Sequence, residues 1–416
     1  MVMNVSRKHK IKRSEHRKST YKARRHPLYA LLLVVLIVGL VGLGMIIYQP
    51  IHDAIMSWVT REPPPPPTLP EPDPNGEVIE QPEPEPVRWV PDELRAIYAP
   101  PELVGNASAF NAFLDSLPAA GLNAVMIDIK DRGGQLLHTS QNANAIAWNA
   151  IDPYAFDLSE LSGRLEERGL VLIARMPAFR SRLAALGNPD YAVRFGEAEG
   201  MMWLDNEPGI GVPWLNPHSQ GARQYITDLA VEAAEMGAVM VVLDYFQFPP
   251  HSLMEWAFFR YADGVSRTDR LRQFADELNT TFEGLDARLA IHMQSIALAS
   301  EPNMTFYGGP AQDILSEYTL LSALPYQFFT WFSHGDFVLH HPLEDLDYTL
   351  TKIVTHAQQV TDSHLIVLLQ GGSLPDGAQY TDEEIRAQVE RLSGLGVREF
   401  VFFAPDAGQY QIAEIG

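Results

Sequence analysis

The stretch AVMVVLDYFQFP, Ala238–Pro249, decides how this chain reads. Its first half is an unbroken apolar run, as expected of a strand covered on both faces in a parallel sheet. Asp244 ends the run, and aromatics, Gln247 and Pro249 follow, so the strand stops where polar chemistry starts. The carboxyl ends of parallel strands are where barrels and doubly wound sheets carry their functional groups. An aspartate there could equally cap the next turn, so the neighbouring strands have to decide.

The stretch before it, Ser219–Met236, sets Tyr225, Leu229, Ala233 and Met236 at helical three-to-four spacing. The same alternation runs through the rest of the chain. Strands are expected at Leu94–Ala99, Asn123–Asp131, Leu170–Pro177, Ala238–Phe248, Arg288–Ile296, Thr319–Pro325, His364–Gln370 and Glu399–Ala404. Helices are expected at Asn106–Ala120, Phe156–Arg168, Thr268–Glu283, Leu343–Gln359 and Asp382–Leu395. Eight such units imply right-handed βαβ crossovers and an α/β fold, a closed (β/α)8 TIM barrel over residues 91–416. Most of these strands end in polar groups: Asp128, Lys130 and Asp131; Arg175; Asp244; His292 and Gln294; Tyr326 and Gln327; Gln370; Asp406. In a closed parallel barrel such tips converge on one mouth.

The 416 residues contain no cysteine, which excludes disulfides, thiolate metal sites and a Cys nucleophile. The net charge of −21 is segregated: the first 25 residues hold ten of the 31 Lys and Arg and one acid, leaving 21 basic against 51 acidic residues beyond them. So acidic a body argues against a nucleic-acid partner. Leu28–Tyr48 is apolar and uncharged over 21 residues, about 30 Å as a helix, enough to span a bilayer. Bulky Met45, Ile46, Ile47 and Tyr48 stand where a signal peptide would be cleaved, so an uncleaved anchor is expected. The basic tail, residues 1–27, then lies in the cytoplasm and the remainder outside, a single-pass cell-membrane topology. Residues 49–90 form a linker whose Glu62–Val87 portion is mostly Pro and acid, an extended stalk of up to about 80 Å.

The segments NAVMIDIKDRGG, VLIARMPAF, WLNPHSQGARQYITDLAVEAAEMGA and VVLDYFQFP, in this order, resemble a bacterial family of glycoside-hydrolase-type domains first known as a domain of unknown function. The similarity covers roughly Arg95 to Gly408 and implies a (β/α)8 barrel, often secreted or membrane-tethered. This chain departs from the family pattern at Asn216, where Asp is usual before Pro, at Gln247, usually basic, and at Gly371 and Gly372, where an acid is usual. Of a longer motif around Leu324–Gln327, Pro325 and Tyr326 remain.

Most glycosidases use two carboxyl groups. The resemblance implies Asp244 as nucleophile, because a fourth-strand Asp has that role in related barrels. The proton donor stays open among Asp128, Asp131, Asp406, Asp205, Glu207 and Glu301. Lys130 reads either as the cation that keeps a neighbouring carboxylate ionised or as a salt bridge at the mouth. Arg175, Trp214, Asn216, Tyr245, Gln247, His292, Tyr326, Gln370 and Asp406 are candidate glycan contacts; each aromatic, Trp256 and Trp331 included, could instead be packing. His251, His292, His334, His340 and His341 form no HExxH motif, and neither a phosphate loop nor GxSxG occurs, so no metal or cofactor is expected. The expectation is an extracellular glycoside hydrolase acting on a cell-wall, capsular or other glycan, with no protein partner indicated. The three departures favour a rival, a barrel that binds or scaffolds glycan without cutting it.

Overall fold

The computed structural model describes residues 90–404, apart from 197–199, 206–210, 251–253, 300–305, 329–330 and 373–380. The basic tail, the apolar run 28–48 and all but the last residue of the linker lie outside the described residues, as do Glu207, His251, Glu301 and Asp406.

Eight parallel strands close into a barrel: β1 (Arg95–Ala99), β2 (Ala124–Asp128), β3 (Val171–Pro177), β4 (Ala238–Asp244), β5 (Arg288–Gln294), β6 (Tyr318–Ser322), β7 (His364–Gln370) and β8 (Phe400–Phe403). Each pairs with its sequence neighbours, and β8 returns to β1. Helices α1 (Ala107–Ser116), α2 (Leu158–Glu166), α3 (Gln220–Glu235), α4 (Arg267–Phe282), α5 (Leu346–Val360) and α6 (Asp382–Gly394) lie in the crossovers. The β5–β6 crossover has only the short helix Ser295–Leu298 and a 3-10 turn, Ala311–Ile314, among its described residues.

Local chemistry starts and stops these helices. Ser219 caps α3 by accepting the Ala222 amide, and Thr381 and Glu384 form a reciprocal capping box on α6. Along α3 the buried Ala222, Tyr225, Ile226, Leu229, Ala230, Ala233 and Ala234 make one apolar stripe. Gly237, with φ at 117°, then turns the chain directly into β4, a conformation that needs glycine.

The core has two layers. Ala96, Tyr98, Ala124, Met126, Ile173, Met240, Val242, Ala290, Leu320, Ile366, Leu368 and Val401 fill the barrel. Val125, Ile127, Leu172, Val241, Leu243 and Ile291 belong to the larger layer shared with the helices. Two such layers explain why β4 reads as a continuous apolar run instead of alternating. The register between β3 and β4 slips between Leu172↔Ala238 and Ile173↔Met240, leaving Val239 as a bulge. Side chains alternate faces with a period of two, so this extra residue sets the phase that puts Met240, Val242 and then Asp244 on the barrel side. β2 ends at Asp128 and β4 at Asp244, earlier than their apolar and aromatic continuations suggest.

Candidate active site

Counting two residues on from the inward apolar positions gives the floor of the site. Ala96 leads to Tyr98, Met126 to Asp128, Ile173 to Arg175, Val242 to Asp244, Ala290 to His292, Leu320 to Ser322, Leu368 to Gln370 and Val401 to Phe403. All of these except Gln370 line one cavity of about 620 Å³ at the carboxyl ends of the strands. Lys130, Asp131 and Arg132 line it from the segment after β2, Tyr245 from the corner after β4, and Tyr326 and Gln327 from the turn after β6.

Asp244 is the most strongly conditioned acid among them. One carboxylate oxygen, Oδ1, accepts hydrogen bonds from His292 Nδ1 at 2.8 Å and from the Tyr245 amide at 2.8 Å. Its side chain keeps 22 % of its surface open, so a ligand in the cavity can reach it. Burial works to raise its carboxyl, but His292, Arg175 and the Tyr245 amide outweigh burial and hold it well below the usual carboxylate range. The corner that supplies this amide is strained: Tyr245 has φ at 50°, unfavourable for an aromatic residue. Trp214 meets the Tyr245 ring edge-on at 5.8 Å, and the guanidinium groups of Arg180 and Arg132 lie 5.5 Å and 5.8 Å from its centre. The Ala178 amide donates to the Asp244 carbonyl at 2.7 Å, tying the corner to the end of β3.

Asp128 is engaged differently. Arg175 clamps it with two hydrogen bonds, 2.6 Å to Oδ1 and 3.0 Å to Oδ2, and the Tyr98 hydroxyl donates to Oδ2 at 2.7 Å. Arg175 lies over the Tyr98 ring at 4.7 Å, and that ring stacks on Phe403 at 5.0 Å. Burial opposes the charge on Arg175, but Asp128, with help from Tyr98 and Asp244, holds its proton more firmly than usual. Strand order places Arg175 between the two acids.

The sequence expectation for Lys130 needs correcting. The cation on Asp128 is Arg175, and Lys130 donates instead to the carbonyls of Pro177 at 2.6 Å and Ala178 at 3.4 Å. It has no exposed surface, and burial, only partly offset by Asp131, pushes its ammonium down to about 7. Asp131 closes the following turn, with Oδ1 accepting the Gln135 amide at 2.8 Å.

Other candidates are absent from the cavity lining. Trp214 is buried and spends its indole N–H on Asp205 at 2.8 Å, so it braces Tyr245 instead of meeting a ligand. Asp205 itself also accepts the Val212 amide on Oδ1, so both of its oxygens are engaged, and it does not line the cavity. Asn216 is buried, donating to the Arg260 carbonyl at 2.8 Å and accepting the His218 amide at 3.1 Å, a turn-forming role. Gln247 accepts from the Tyr307 hydroxyl at 3.4 Å. Gln370 has inward parity, but its amide donates to the Gly372 carbonyl at 3.0 Å. Asp406 lies outside the described residues. Tyr98, Arg132, Ser322 and Phe403 line the cavity without having been expected; the period-two count would have found Tyr98, Ser322 and Phe403. Among the described residues no group of three His, Cys, Asp or Glu side chains could hold a metal ion.

A family described as "Putative glycosyl hydrolase domain" matches residues 96–410, most of the chain and all of the barrel strands but Arg95. The chain belongs to this family. No curated protein matches it. Among solved structures, the glycoside hydrolase domain of PgaB (BpsB) from Bordetella bronchiseptica is similar, with a TM-score of 0.52 and 15% identity over 76% of this chain and 94% of that one. A hypothetical protein from Ruminiclostridium thermocellum has a TM-score of 0.42 and 21% identity over 47% of this chain and 96% of its own. The α-galactosidase TtGalA from Thermus thermophilus has a TM-score of 0.46 and 16% identity, over 77% of this chain and 60% of its own. At these identities the PgaB likeness concerns the fold.

Proposed function

We propose that the chain is a glycoside hydrolase and that Asp244 is its working carboxylate, the nucleophile or base facing an oxocarbenium-like transition state. The observation that carries this reading is the ionised, ligand-accessible Asp244 at the mouth of a closed barrel, gripped on one oxygen by His292 and a strained backbone amide. Such a fixed anion stabilises positive charge developing at an anomeric carbon without reorganising. Proton delivery falls to Asp131, which lines the same cavity, because both oxygens of Asp128 already accept from Arg175 and Tyr98. The substrate is a cell-wall, capsular or other glycan. The test is a digest of a polysaccharide library by the wild type and by Asp244→Asn. Products from the wild type alone support the reading; the same products from both remove Asp244 from the chemistry.

The saturation of Asp128 favours a second reading, a barrel that binds glycan without cleaving it. Glycan retained with no product from either protein would select it.

We also propose that residues 28–48 cross the cell membrane, with residues 1–27 cytoplasmic, the linker as a stalk and the barrel outside. The charge-free apolar run and the basic cluster before it support this topology. Protease added to intact cells would release the barrel; a barrel degraded only after lysis would refute the orientation.

A further inference from the structure

Large apolar side chains are not scattered evenly over this surface. Of the nine strongly exposed ones among the described residues, Met201, Leu204, Trp256, Phe258 and Tyr261 lie in the insertions after β3 and β4. Clustering of this kind marks a binding surface more often than chance exposure. Within it, Arg194–Phe195 pairs antiparallel with Ala257–Phe258, and the Phe195 amide donates to the Met201 carbonyl at 3.1 Å. Trp256 is 52 % exposed, yet its ring stacks nearly parallel on Phe195, 9° between planes at 5.9 Å. One indole face is thus backed by protein while much of the ring stays open. The Glu255 carboxylate accepts the indole N–H at 3.0 Å, which sets an acceptor at the ring edge.

We propose that Trp256, backed by Phe195, is an aromatic platform for a pyranose ring of a glycan that extends beyond the cavity. The proposal rests on the reading of the cavity as a glycan site. A sugar presents apolar C–H faces and hydroxyl edges, and an open indole with an adjoining carboxylate complements both. The platform is tied to the site through the interior: Tyr245 lines the cavity, the buried Trp214 packs on Tyr245, and the Trp214 carbonyl accepts the Val193 amide at 2.9 Å from the segment that leads into Arg194–Phe195. That segment is held in place, since Asp190 binds both the buried Arg194 and Arg260, so little ordering is needed on binding. Glu255 and the acidic body make the surface a poor match for anionic lipid.

The test measures binding of cellohexaose, chitohexaose, maltohexaose and the corresponding disaccharides to the full chain in lipid nanodiscs. An Asp244→Asn background prevents turnover, and Trp256 substitutions are added to it. The expected result is that at least one hexasaccharide binds better than its disaccharide, that Trp256→Ala lowers this advantage about tenfold, and that Trp256→Phe keeps most of it. The proposal is overturned if no hexasaccharide binds, if Trp256→Ala leaves the advantage intact, or if Trp256→Ala changes only the oligomeric state. The two readings fail separately. Trp256-dependent binding without hydrolysis by the wild type keeps the platform and removes the catalytic reading; hydrolysis with Trp256-independent binding does the reverse.

Discussion

His292 and Asp244 meet across neighbouring strands one residue beyond the Leu243–Ile291 register pair, with Nδ1 of one 2.8 Å from Oδ1 of the other. This contact is the main force that counters the effect of burial on Asp244. His292→Leu removes the donor and the favourable electrostatics it supplies, so the Asp244 carboxyl rises toward the ordinary carboxylate range. The acid limb of the kcat/KM profile then moves to higher pH, and turnover near neutrality falls ~10- to 100-fold. The pH–rate profiles of both proteins check this; an unmoved acid limb would contradict it.

Arg175 stands between two acids and clamps one of them. Arg175→Met leaves Asp128 largely buried without its cation, which costs about 3 kcal/mol of stability. Adding Asp128→Asn removes the stranded charge and recovers part of that loss. Urea unfolding of both variants measures the difference, and an Arg175→Met protein as stable as the wild type would show the clamp to be inconsequential.

Lys130 gives a pH signature of opposite origin. Its folded-state value is depressed to about 7, so between there and the ordinary lysine value the unfolded chain binds the extra proton. Stability contributed by this group therefore rises with pH across that window, by at most about 1.4 kcal/mol per pH unit. Below the window the cost of burying the ammonium is fully present. Lys130→Met loses the bonds to Pro177 and Ala178 but also removes this slope. Unfolding free energies from pH 6 to pH 10 should converge with the wild type at low pH and diverge at high pH; parallel curves would contradict the assignment.

The barrel was legible because its signal is repeated: eight apolar runs, most of them ended by a polar group and separated mostly by helix-length segments. The site was legible in part. Asp128, Arg175, Asp244 and His292 stand two residues past an inward apolar residue, and that parity carries them into the cavity. Parity alone fails at Gln370, whose amide turns back to a nearby carbonyl, and it does not apply to Trp214, Asn216 and Gln247, which lie in loops. A polar side chain at a strand tip serves equally well to satisfy loop backbone, and residue type does not distinguish the two uses. Lys130 is the nearest cation to Asp128 in sequence, but Arg175 is its register partner on β3, and Lys130 turns to the Pro177 and Ala178 carbonyls.

The central claim is that the Asp244 carboxylate performs chemistry at an anomeric carbon. Its most direct test is chemical rescue of Asp244→Gly by azide, on whichever glycan the wild type cleaves. The account predicts that Asp244→Gly loses at least ~1,000-fold in kcat, and that azide restores turnover and appears in the product as a glycosyl azide. An Asp244→Gly protein that turns over at the wild-type rate without azide would contradict it.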